Sequence, residues 1–390
     1  MERKTSAADP SQVQELCRDL VSIESLSGDE AQVAALVLDQ MVKLGYDEAG
    51  RDDLGSVIGV RRGEQPGPTL VLDAHMDVVP APEPDRWRRP PFAGVAADGR
   101  IWGRGATDIK GSLAALVLAI GGLQKSAFAG TLVVSASVAE ERMEGLALGR
   151  VLDRHAADAV VICEPTELAL GLGHKGRASL VVEAEGRAAH TSNPQRGVNA
   201  VYQMTEAIAL LRQLVLPSDP TLGPGVMELV EISSKPFPGS SMVPYHCVAR
   251  FDRRVVGGET RAGLIDEVQR VVAAVPGVYA GYHRSRLECY TGLAFEDEVF
   301  HPCWALSPEL ELVKRAQTSL RGIDQAGEVY YAPYCTNGAT SAGERGIPTL
   351  IYGAGSIADA HIVDEGVDIA QLTAAFHGYQ ALARALTRTS

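Results

Sequence analysis

Three apolar runs in this 390-residue sequence, Thr69–Asp73, Thr131–Ala139 and Ala159–Cys163, each stop at ionisable side chains. The first ends in Asp73-Ala74-His75-Met76-Asp77, the second in Glu140-Glu141 and the third in Glu164. Strands that are apolar throughout are buried on both faces. Here they alternate with helical patterns, one from Ser11 to Leu44 closed by Gly45 and one over Ile109–Leu123 after the turn Gly103-Arg104-Gly105. That combination predicts an α/β fold with a largely parallel, helix-covered sheet. In such sheets ligand-binding groups collect at the carboxyl ends of strands. His75, Asp77, Glu140, Glu141 and Glu164 are therefore expected along one edge.

The pattern changes after about residue 176. Ala178–Glu185 alternates like a half-exposed strand. Val198–Val215 reads as a helix, Val226–Ser233 and Cys247–Arg254 as strands, Glu259–Ala274 as a helix and Tyr279–Leu287 as a strand. The order βαββαβ is that of a ferredoxin-like module. The expected organisation is one domain from residues 1–176 and 291–390, with a second, 177–290, inserted into it. A chain of this length buries its own core without disulfides, so a metal site in it is expected to be catalytic rather than a folding staple.

The formal net charge of −13 disfavours nucleic acid, which is bound by neutralising phosphates. The six cysteines are scattered and form no CxxC pair, as in a reducing compartment. The N-terminus shows no apolar signal core, and no apolar run approaches the ~20 residues that span a bilayer. A cytoplasmic protein without a membrane partner is expected.

The chemistry rests on a few residues. His75-x-Asp77 joins a common zinc ligand to a carboxylate able to orient it, though the pair alone is a weak signal. Asp108 follows a glycine-rich turn that lets backbone approach a site, and it is equally suited to start the next helix. Glu140 and Glu141 are costly at a strand end unless a cation neutralises them. Neighbours on a strand point oppositely, so one can bind metal while the other faces substrate; a solvated loop edge is the alternative. Glu164 carries the same pair of readings, and a lone His361 is more often structural. Together they offer a mixed imidazole and carboxylate set suited to zinc, or to cobalt or manganese. Gly171–Gly176 fits GxGxxG, but a strand rather than a helix follows it, so no dinucleotide site is expected. Tyr330, Tyr331 and Tyr334 suit a substrate pocket or a core edge equally.

With these residues in this order, the sequence resembles the metallopeptidase family of acetylornithine deacetylase, succinyl-diaminopimelate desuccinylase, aminoacylase-1 and carboxypeptidase G. The resemblance runs from Ser25-Leu26-Ser27-Gly28-Asp29-Glu30 through the motifs above and Ala189-His190-Thr191-Ser192-Asn193-Pro194 to Gly353-Ala354-Gly355 and Ala360-His361 followed by Asp364-Glu365. It implies a zinc-peptidase-like catalytic domain with an inserted lid and dimerisation domain. His75 and Glu164 would bind one metal, Glu141 and His361 the other, with Asp108 bridging two divalent ions, zinc foremost. Asp77 would orient His75, and Glu140 would be the general base. His190, often supplied by the partner of a homodimer, would hold the scissile carbonyl oxygen. Arg254 would receive a substrate carboxylate. Ser241, Thr336 and Asn337 stand at further substrate-contact positions, with Ser241 where the family usually has asparagine. Ala139 stands where the family usually has aspartate. The implied reaction is hydrolysis of the amide bond of a small N-acyl amino acid or short peptide bearing a free carboxylate. Hydrolytic deamination, cyclic-amide opening, or a catalytically silent binding protein are the alternatives.

Overall fold

The structure, a computed structural model, describes residues 9–239 and 241–388. In chain order the strands that build its two principal sheets are β1 (Glu48–Arg51), β2 (Val57–Arg62), β3 (Gln65–His75), β4 (Ala129–Ser137), β5 (Ala159–Ile162), β6 (Leu170–His174), β7 (Gly176–Glu185), β8 (Val226–Lys235), β9 (His246–Val255), β10 (Val278–Tyr282), β11 (Phe300–His301), β12 (Trp304–Ala305), β13 (Val329–Ala332) and β14 (Thr349–Ile351). The larger sheet has the order β1-β2-β4-β3-β5-β14-β6-β12, with β13 beside β6. Its centre, β4-β3-β5-β14, is parallel; β2 and β6 join it antiparallel on either side, and β13 runs parallel to β6. The sheet is thus mixed, its parallel part being the strands with continuous apolar runs.

Alternation within those runs explains their uniform apolarity. Leu70, Leu72, Leu132, Val134 and Val161 face one core, whereas Val71, Val133, Val160 and Ile162 face the other. The first core holds the helix Gly111–Gly121, every residue of which is buried, and much of the C-terminal helix Ile369–Leu386. The predicted helical segment 11–44 is two helices, Ser11–Val21 and Ala31–Lys43. The break between them is functional in placement: Ser25 Oγ donates to the Met76 carbonyl at 2.8 Å and Ser27 Oγ to Asp77 at 2.6 Å.

The inserted part is built on an antiparallel sheet in the order β8-β9-β7-β10, the ferredoxin-like arrangement, with the short β11 also beside β7. Its helices, Ala200–Leu211 and Arg261–Val272, cover one face through Met204, Leu211, Leu264 and Val268. Both start later than periodicity predicts, because Asn199 and Thr260 cap them: Asn199 Oδ1 accepts from Val201 N and Thr260 Oγ1 from Gly263 N. The predicted strand Tyr279–Leu287 is divided. After Tyr282 the chain leaves the sheet and forms a hairpin of Arg284–Glu288 with Ala294–Glu298. Leu287 and Cys289 of this hairpin pack in the larger core, and Phe300 returns to the smaller one, past residue 290.

The two crossings between the domains lie side by side, His301 pairing with Arg177. Buried Glu144 joins them: its Oε1 is 2.6 Å from Arg177 Nη1 and its Oε2 is 3.1 Å from His301 Nε2. Burial opposes ionisation of Glu144, but His301 and Arg177 hold its carboxyl well below the usual range. The loop that carries Glu140 and Glu141 is thereby tied to both hinge strands.

Candidate metal centre

Three parallel strands deliver the donors. His75 ends β3, Glu140 and Glu141 follow β4, and Glu164 follows β5. Asp108 comes from the turn before the buried helix, and His361 from the loop before Gly366–Asp368. The ligand atoms of His75, Asp108 and Glu141 lie within 4.8 Å of one another. Asp108 Oδ1 is 3.0 Å from His75 Nε2, and its Oδ2 is 3.2 Å from His361 Nε2. His361 Nε2 is also 3.0 Å from Glu141 Oε1, and Glu164 Oε1 is 3.9 Å from His75 Nε2. One carboxylate therefore faces two imidazoles with its two oxygens, and a further carboxylate flanks each imidazole.

Buried acids crowd this cluster and favour positive charge within it. Burial, then neighbouring Asp108, pushes Glu164 up to about 8. Glu141 is raised for the same two reasons, and Glu140 by burial with Glu164 and Glu141 adding to it. His361 is pushed up to about 10 by Asp108 and Glu141. Burial opposes charge on His75, yet its bonds to Asp108 and Asp77 hold it well above the usual value. Five oxygen and nitrogen donors of this kind fit two divalent cations, which would replace the protons now needed for neutrality.

In the metal-free protein at pH 7, His361 and Glu164 carry protons that a metal must displace. Metal loading is expected to release about one to two protons, and to tighten as pH rises toward 8. Calorimetric titration in two buffers of different ionisation heat measures this. Uptake without proton release would place the metals elsewhere.

Asp77 contacts both His75 and the loop after β4. The His75 Nδ1 partner is the Asp77 backbone carbonyl at 2.9 Å; the carboxylate is 3.5 Å away, at the limit of a useful bond. That carboxylate instead accepts Glu140 N at 3.0 Å, Glu141 N at 3.1 Å and the Ser27 hydroxyl. Two buried acids without an assigned role complete the cradle. Glu30 Oε1 accepts Ala139 N at 3.0 Å. Glu365 Oε1 accepts the N–H groups of Thr107 and Asp108, and its Oε2 pairs with Arg104. Ala139 has φ 63°. Aspartate tolerates that left-handed conformation better than alanine, and here the bond from Glu30 secures it. Gly353 also has a packing reason: a Cβ there would lie 2.5 Å from the Glu164 carbonyl oxygen. Glu30 and Glu365 both stand in the motifs that carry the resemblance, which was the available signal for them.

The remaining candidates are placed differently. Thr336 and Asn337 are buried, and their side chains bond the scaffold. Thr336 Oγ1 accepts Gly338 N, while Asn337 accepts Gly145 N at 2.6 Å and donates to Asp73 at 2.8 Å. Arg254 is on the half-exposed face of the inserted sheet, 3.0 Å from Asp252. His190 is exposed and bonds Ser192 of its own loop at 2.8 Å. Ser241 lies on the adjoining segment, where its carbonyl accepts Thr191 N. Among the described residues neither has a hydrogen bond or ion pair to the metal-binding cluster. Tyr334 is engaged with Tyr330 and the Pro165 carbonyl. No described helix is long and apolar enough to cross a membrane.

The family model described as Peptidase family M20/M25/M40 matches residues 71–385. The uncharacterised protein YgeY of Escherichia coli K12 is 32% identical over 361 residues, covering 89% of this chain and 88% of its own. A succinyl-diaminopimelate desuccinylase of Rhodospirillum centenum is 30% identical over 284 residues, covering 68% of this chain and 73% of its own. Among solved structures, the Bacillus subtilis YXEP protein, a dinuclear metal binding peptidase of the M20 family, superposes with a TM-score of 0.69 at 15% identity, covering 96% of this chain and 97% of that one.

Proposed function

Since this chain belongs to peptidase family M20/M25/M40 and is a hydrolase of C–N bonds, we propose that it cleaves the amide bond of a small N-acyl amino acid or short peptide carrying a free carboxylate. The observation that carries this reading is Asp108 set between His75 and His361, with buried Glu140 beside them. His75 and Glu164 would hold one ion and Glu141 and His361 the other, Asp108 serving both, with zinc the ion best matched to the donors. When bound, the metal pair supplies Lewis-acid polarisation of the carbonyl and a more acidic water.

The chain supplies the rest. Glu140, a carboxylate made more basic by burial, takes the proton of the attacking water and delivers it to the leaving amine. Asp77 keeps Glu140 and Glu141 in register through their backbone N–H groups. Arg254 receives the substrate carboxylate through its guanidinium fork, and His190 donates to the oxyanion.

A panel of N-acyl amino acids and dipeptides, assayed with zinc, manganese and cobalt, tests the reading. Arg254→Ala is expected to cost carboxylate substrates about 2 kcal/mol in kcat/KM, the low end for a charged contact that is one-third exposed. Equal turnover of substrates with that carboxylate esterified removes Arg254 from the site.

The exposed position of His190 is best accommodated by a cytoplasmic homodimer in which the histidine of one protomer serves its partner. Mixing His190→Ala with Glu140→Ala protein under subunit exchange is then expected to restore up to about a quarter of wild-type activity, because half of randomly paired dimers are mixed and each has one complete site. No recovery with exchange demonstrated means that each chain uses its own His190.

A further inference from the structure

Arg254 does not stand alone on the inserted sheet. It is paired directly across the strands with Arg177 of β7. Like charges in facing positions repel, so the pairing calls for a carboxylate between them. Asp252 supplies it. Residues two apart on a strand share a face, which sets Asp252 beside Arg254 and diagonal to Arg177. Its Oδ1 is 3.0 Å from Arg254 Nε, and its Oδ2 is 3.0 Å from Arg177 Nε. Arg253, between them in sequence, is buried on the other face against Glu259 and Glu267.

Asp252 thus grips both guanidiniums by their Nε edges, which leaves the terminal amino groups to reach elsewhere. Arg177 reaches back to the catalytic domain, its Nη1 lying 2.6 Å from Glu144 Oε1. The terminal amino groups of Arg254 have no hydrogen bond or ion pair among the described residues. The result is a chain of alternating charge, Glu144–Arg177–Asp252–Arg254. It begins on the loop that carries Glu140 and Glu141 and ends on the open face of the inserted sheet. Glu144 is buried and the other three side chains are half-buried, so salt screens these links less than it screens exposed pairs. Arg177 and Asp252 also line, with Glu141, a cavity of about 380 Å³ between the domains.

We propose that Asp252 and Arg177 are positioning residues for the reaction: Asp252 presents the open fork of Arg254 to the substrate carboxylate, and Arg177, through Glu144, fixes that fork relative to the loop bearing Glu140 and Glu141. The proposal rests on the amide hydrolysis and the role of Arg254 proposed above. Seating the carboxylate then aligns the amide with Glu140. A remote contact that serves alignment is felt in kcat as well as in KM.

N-acetyl-L-alanine and its methyl ester test the fork by calorimetric titration of metal-loaded Glu140→Ala protein, in which turnover is removed. The free acid is expected to bind about tenfold more tightly, the lower end for a hydrogen bond to a charged group. Arg254→Ala is expected to abolish that preference. Asp252→Asn is expected to remove most of it, since the amide oxygen accepts from one guanidinium while its NH₂ faces the other. Each variant is checked for metal content and melting temperature. A preference lost in Arg254→Ala but kept in Asp252→Asn overturns the positioning and leaves Arg254 in its role. No preference in the parent, or one that survives Arg254→Ala, overturns the role of Arg254 and the positioning together. With Glu140 restored, the best free-carboxylate substrate of the panel above is expected to exceed its methyl ester in kcat as well as in affinity. Asp252→Asn and Arg177→Gln are each expected to remove most of the kcat difference. Equal losses on both substrates, with their ratio unchanged, mean a structural role alone and overturn the proposal.

Discussion

Glu140→Ala is expected to lower kcat by about 10²–10⁴, the range for removing a positioned general base, while two metals stay bound. Its neighbour is expected to behave oppositely: Glu141→Ala loses affinity for one ion. The separation follows from geometry. Glu141 meets His361 at 3.0 Å and shares the Asp108 cluster, whereas Glu140 is buried beside it without belonging to that three-residue group. Metal analysis alongside steady-state kinetics separates the two effects. Near-normal turnover by Glu140→Ala would remove it from the base role, whatever the metal content.

Asp77→Ala is expected to cost both metal affinity and turnover, by about 10–100-fold each, as for outer partners of metal ligands. Its carboxylate accepts the backbone N–H groups of both glutamates. Removing it leaves two buried donors unsatisfied and frees the loop that aims them. Asp77→Asn is the finer test, because it keeps the volume but sets an amide N–H against one of those donors. If Asp77 only oriented His75, Asp77→Asn would retain nearly full activity, since the Nδ1 bond goes chiefly to the Asp77 backbone carbonyl. Loss in Asp77→Asn comparable to that in Asp77→Ala would place its role at Glu140 and Glu141.

The parallel strands, their order of appearance and the acids at their ends were legible in the sequence, because burial on both faces leaves a continuous apolar run that local pattern detects. The inserted module was legible for a related reason: alternation of period two survives where one face is open, as along β9. Boundaries were less so. Caps at Asn199 and Thr260 shortened both of its helices, and the last strand was divided by a hairpin whose apolar residues belong to the other core.

What the sequence by itself determined was the chemistry on offer: two imidazoles and a set of carboxylates, each at the end of an element that must be buried. What only the tertiary structure decided was who holds whom. Asp77 reaches Glu140 across 63 residues, Glu365 reaches Thr107 across 258, and Asn337 reaches Asp73 across 264. No local pattern encodes such partners, because a hydrogen bond depends on where two chain segments meet and not on the spacing within either.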